Sequence, residues 1–113
     1  MVSIDRFRKM ALSLPDTDEH PHFHLQAFRV KKKIFATLHA ADNRAMLKLS
    51  PVEQSVYCDL DNKMFFPVPG GWGKQGATFV DLGSVKSSVF REALQTAYAG
   101  VVAKAGASTK KTR

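Results

Sequence analysis

The spacing of apolar residues changes twice along this chain, and that change restricts the folds open to it more than any other feature. Ile4, Phe7, Met10, Ala11 and Leu14 recur at helical intervals, with Asp5, Arg6, Arg8 and Lys9 on the other side. Across residues 27–49 the pattern is strand-like. Ala27-Phe28-Arg29-Val30 and Ile34-Phe35-Ala36-Thr37-Leu38 flank a charged turn, and residues 45–49 alternate after the turn-forming Ala41-Asp42-Asn43-Arg44. Helical spacing returns in Phe90, Leu94, Ala97, Tyr98 and Val101. A helical period cannot bury its stripe as a strand, nor an alternating one as a helix. Consecutive strands bracketed by helices predict an α+β fold in two layers: an antiparallel sheet of about five strands, with N- and C-terminal helices packed on one face.

Local signals place the boundaries. Ser3 caps the first helix and Pro15 stops it. Residues 16–21 are polar and acidic and read as a loop. Ser50-Pro51-Val52-Glu53 combines a capping hydroxyl, proline at the first helical position and a glutamate three residues after the cap, which predicts a short helix over residues 51–60. Residues 64–69 hold too much proline for a central strand, residues 70–76 read as a flexible glycine-rich loop, and residues 77–82 resume as a strand. The last helix is expected from about Ser87 and to end at Gly106. One domain over residues 1–105 and a flexible basic tail over residues 106–113 follow.

With 113 residues, 44% of them apolar and 24% charged, the chain can build one core without disulfides or metal. Its single cysteine, Cys58, allows no intrachain disulfide, and no apolar run approaches a membrane span or a signal peptide. The expectation is a monomer in the cytoplasm with no membrane role. The formal charge of +7 suggests a polyanionic partner, yet Lys104, Lys110, Lys111 and Arg113 supply four of those charges. Residues 1–103 carry only +3, so the basic character argues for nucleic acid only where the body's cations share a face.

Three motifs invite stronger chemistry. Gly71-Trp72-Gly73-Lys74-Gln75-Gly76 matches a dinucleotide fingerprint in letters, but prolines precede it and strand-like residues follow, where that site requires a strand and then a helix. What remains is a loop presenting one indole and one ammonium, suited to stacking on a base and touching a phosphate. His20, His22 and His24 would share one side of a strand, yet the outer pair would stand roughly 13 Å apart at Cα, too far to ligate one ion together. Cys58 has no histidine near it in sequence and reads as packing. Nothing here calls for catalysis, a metal or a cofactor. An enzyme would need a cleft gathering His22, His39, Cys58 or Asp81.

The remaining constellation is basic: Arg29, Lys31, Lys32, Lys33, Arg44, Lys48 and Lys74, with Trp72 as a stacking platform. If Arg29 and Lys48 share the sheet's open face, they and the turn lysines form a track for phosphates. Otherwise the three consecutive lysines only keep a hairpin soluble and its edge unpaired.

In Ala11-Leu12-Ser13-Leu14-Pro15, Pro21-His22, Phe28-Arg29-Val30, Lys33-Ile34-Phe35-Ala36-Thr37-Leu38 and Leu47-Lys48-Leu49 the chain resembles the MmcQ/YjbR family. The resemblance continues through Pro67, Pro69-Gly70, Gly73-Lys74, Gly76, Thr78, Val80-Asp81-Leu82 and Ala97-Tyr98. It departs at Ala77, where relatives carry a bulky aromatic, and at His24, where many carry glycine. The resemblance implies a CyaY-like, frataxin-like two-layer fold. It also implies DNA binding, for which members are described on account of their wing-like hairpins, and it brings no established activity or agreed site residues. The leading expectation is a weak, salt-sensitive DNA-binding module. The rival is a protein-interaction or small-ligand module using the open sheet face and the aromatics Phe65, Phe66 and Trp72.

Overall fold

A computed structural model describes residues 1–23 and 25–111, and side chains through Lys104. The first helix, α1 (Ile4–Leu12), starts where the Ser3 side chain accepts from the Arg6 amide at 3.1 Å. The strands follow as β1 (Thr17–His22), β2 (Leu25–Val30), β3 (Lys33–His39) and, after a single 3₁₀ turn at Ala40–Asp42, β4 (Arg44–Lys48). Helix α2 (Pro51–Leu60) has the reciprocal capping box expected of Ser50 and Glu53, with both bonds formed at 2.9 and 3.1 Å. The chain ends with β5 (Phe65–Pro67), the one-turn helix α3 (Gly71–Lys74), β6 (Ala77–Asp81) and α4 (Ser87–Lys111).

The six strands form one antiparallel sheet in the order β1-β2-β3-β4-β6-β5. Both edge strands contain proline, Pro21 and Pro67, which lacks the amide an interior ladder needs. Three expectations are corrected. Residues 16–21 are not a loop. Their polar, half-exposed pattern suits an edge strand that buries little, and β1 raises the strand count above five. The Gly70 to Gly76 segment contains a helical turn rather than only loop. Helix α4 runs past Gly106 to Lys111, because an isolated glycine costs about 1 kcal/mol in a helix but ends one only when it turns left-handed. The flexible basic tail expected over residues 106–113 concerns side chains outside the described residues, as does His24.

Helices α1, α2 and α4 cover one face of the sheet. Phe7 ties that layer together: its ring lies 5.0 Å from Phe28 of β2 and 5.4 Å from Phe90 of α4, centroid to centroid, and all three are fully buried. Tyr57 of α2 packs at 5.1 Å against Phe65 of β5, and Phe35 of β3 meets Tyr98 of α4 edge-on. In β3 both Phe35 and Ala36 reach this core because the pairing with β2 slips by one residue between Phe28 and Arg29. No described helix is long and apolar enough to cross a membrane.

Candidate nucleic-acid interface

Outside the β3 irregularity at Phe35 and Ala36, strand alternation assigns sheet residues to the helix side or the open side. Phe28, Ala36, Leu47 and Thr78 pair in register across β2, β3, β4 and β6 on the helix side, so Arg29, Thr37, Met46, Lys48, Phe79 and Arg44 lie on the open side. Arg29 and Lys48 therefore share that face, two strands apart, which is roughly 10 Å at the usual interstrand spacing. The β2–β3 turn, the last residue of β4, the first residue of β6 and the α3 turn all fall at the same end of the sheet. That end gathers Lys31, Lys32, Lys33, Lys48 and Lys74 with Trp72, all of them exposed, and among the described residues none of these lysines makes an ion pair.

The hairpin at this end is unusual. Val30 pairs with Lys33, leaving a two-residue loop, and both Lys31 (φ 52°) and Lys32 (φ 66°) are left-handed. Positive φ at both positions is the type I′ turn, which favours Asn-Gly. Side chains with a Cβ tolerate it at about 1 kcal/mol or more each.

Trp72 is 69% exposed and held from below. A Cβ on Gly73 would fall 1.7 Å from the Val68 carbonyl oxygen, and one on Gly76, at φ 114°, 1.9 Å from that of Leu49. Gln54 of α2 donates from Nε2 to the Gly73 and Ala77 carbonyls at 2.8 and 3.0 Å. The glycines that imitate a nucleotide fingerprint thus serve close backbone packing, which seats the Trp72 turn beside the end of β4.

The two arginines stand apart from this set. Arg29 donates from Nε and a terminal nitrogen to both carboxylate oxygens of Asp18, at 2.9 and 3.0 Å. Arg44 lies at the opposite end of the open face, its guanidinium carbon 4.0 Å above the Phe79 ring and a terminal nitrogen 3.7 Å from Asp42. Its Nε is buried with no hydrogen-bond partner among the described residues.

A family model, YjbR, matches residues 12–99. The chain belongs to the YjbR family. Among solved structures, this YjbR-family chain is similar to the crystal structure of Deinococcus radiodurans protein DR2400, which carries a DUF419 domain. The TM-score is 0.75 at 22% identity, covering 87% of this chain and 77% of that one. That likeness concerns the fold. No match is found among curated proteins.

Of the four groups a catalytic cleft would gather, His39 and Asp81 flank Arg44 across neighbouring strands at one end of the open face, and His22 and Cys58 lie elsewhere. Within the YjbR fold His22 ends the edge strand β1, while Cys58 sits in α2 on the other layer. Desolvation, reinforced by Asp59, pushes the Cys58 thiol above its ordinary pKa, the reverse of an activated nucleophile. His39 bonds to the Thr37 hydroxyl at 2.9 Å and meets Phe79 edge-on. Asp81 builds a turn by accepting from the Gly83 amide and the Ser84 hydroxyl. His20 and His22 share the open side of β1, which ends at His22 and is followed by a left-handed Phe23; the expectation for His24 lies outside the described residues. Among the described residues no group of three or more His, Cys, Asp or Glu is placed to hold a metal ion. Phe65 is core and Phe66 packs on Phe79 at 5.8 Å, leaving Trp72 as the exposed aromatic of the three.

Sequence reasoning missed Asp18, Gln54 and the packing role of Gly76. Asp18 lay in a segment read as loop, and only the β1–β2 register sets it opposite Arg29. Gln54 gave no signal beyond helix propensity.

Proposed function

We propose that this protein binds DNA weakly through its phosphates, using the hairpin lysines Lys31, Lys32 and Lys33 together with Lys48 and Lys74, with Trp72 stacking on an exposed base. The observation that carries the reading is the gathering of these groups, distant in sequence, at one end of the sheet, with no ion-paired partner for the lysines among the described residues. Asp16, in the turn before β1, lies toward the same end and limits the site on its β1 side. Arg29 flanks the cluster with its charge offset by Asp18, and Arg44 is remote from it.

The chemistry is charge without a reading head: ammonium groups on flexible stems hold phosphates but do not discriminate bases. Binding is therefore sequence-tolerant. Five phosphate contacts give a slope of log affinity on log salt near −4.5. Fluorescence anisotropy against duplex and single-stranded oligonucleotides, wild type beside a variant with Lys31, Lys32 and Lys33 all changed to Gln, tests it. The variant is expected to keep its fold and lose most of the salt dependence. Equal slopes in the two proteins contradict the reading.

A further inference from the structure

Among the described residues seven large apolar side chains are exposed, and three of them, Val52 (74%), Val56 (61%) and Leu60 (62%), recur every four residues along α2. They form one stripe beside a groove between α2 and α4, floored by Tyr57, Val89 and Thr96. A soluble helix ordinarily turns such a stripe inward, and Tyr57 on the adjoining face already meets the core. The stripe is thus a second apolar face on a helix whose first is satisfied.

The rim of the groove decides what it fits. Glu53, Asp59 and Glu92 line it and no Lys or Arg does, in a chain where basic residues outnumber acidic ones seventeen to ten. The neighbouring groove between α1 and α4 is the converse, lined by Arg6, Lys9 and Arg91 with no acid. Two copies meeting through the same α2 face would set these carboxylates against one another, which disfavours a symmetric pair. We infer that the α2–α4 groove docks a cationic amphipathic helix of a partner protein, its apolar side on Val52, Val56 and Leu60 and its basic residues against Glu53, Asp59 and Glu92. This surface lies on the helix layer, and the inference does not rest on the DNA-binding reading.

The test uses the full ¹⁵N-labelled chain and a synthetic fourteen-residue helical peptide with leucines four and three residues apart and lysines elsewhere. An otherwise identical peptide carrying glutamates serves as its opposite. The expected result is saturable amide shifts centred on Val52, Val56, Leu60 and Val89, with the lysine peptide binding at least about tenfold more tightly than the glutamate one. Val56→Asp and Leu60→Gln, both at exposed positions, are each expected to weaken it about tenfold while leaving the thermal melt unchanged. Equal binding of the two peptides, or shifts centred elsewhere, overturns the inference. So does sedimentation showing that the free chain dimerises and that Val56→Asp makes it monomeric, because the occupant is then a second copy.

Discussion

Arg29 and Asp18 face each other across the β1–β2 ladder in a two-pronged pair, with Nε 2.9 Å from Oδ1 and a terminal nitrogen 3.0 Å from Oδ2. The guanidinium bond holds the Asp18 carboxyl below the usual carboxylate range against the opposing pull of desolvation. Because the native value is lowered, the pair's contribution to stability is present above the ordinary carboxylate pKa and is lost as pH falls through the lowered value. The same pairing removes one cation from the phosphate-binding set. Asp18→Asn is therefore expected to make the salt slope steeper, from about −4.5 to about −5.4, as one further contact forms. Anisotropy across a salt series checks this, and an unchanged slope means that Arg29 lies out of reach of the bound strand.

The left-handed lysines at the hairpin tip set stability against charge. Replacing Lys31 and Lys32 by Asn and Gly supplies the residues a type I′ turn favours and is expected to stabilise the fold by about 1–2 kcal/mol. It removes two of five phosphate contacts, so the slope should fall toward about −2.7. Urea denaturation and the salt series, run on one variant, measure both; weaker folding with unchanged binding contradicts both halves.

Gly76 carries the Trp72 turn. Gly76→Ala places a methyl against the Leu49 carbonyl in a backbone region alanine resists, and is expected to cost about 2–4 kcal/mol. Trp72 emission reports the loop directly: a shift on Gly76→Ala, and a smaller one on Gln54→Ala, is expected, whereas unchanged emission in both means the turn does not depend on these contacts.

Phe7→Ala opens a cavity where α1, β2 and α4 meet and is expected to lose about 3–5 kcal/mol in urea denaturation, enough to threaten folding of a domain this size. A loss under 1 kcal/mol would show that the helical layer does not hinge on this ring.

The sequence was most readable where one element buries one face. The Ser50-to-Glu53 capping box and the apolar stripe of α4 placed their helices, since cap chemistry and period are local properties. β1 was hidden because an edge strand buries little and Thr17 to His22 show no apolar alternation. α3 was hidden because glycine-rich composition reports what the backbone is free to do, and the conformation is set by its fit against Val68 and Leu49. In the candidate site, the lysine turn and Lys48 could be named from the chain. The neutralisation of Arg29 and the remoteness of Arg44 depend on register across strands, which no single stretch of sequence encodes.

In the proposed site, lysines from three separate segments act together on one polyanion. The most direct measurement is duplex-DNA affinity from 50 to 200 mM salt. About a 500-fold loss is predicted for the wild type. Changing Lys48 and Lys74 to Gln should lower the slope by as much as changing two of the hairpin lysines. Affinity that does not respond to salt, or a slope that only the hairpin substitutions alter, would contradict a shared site.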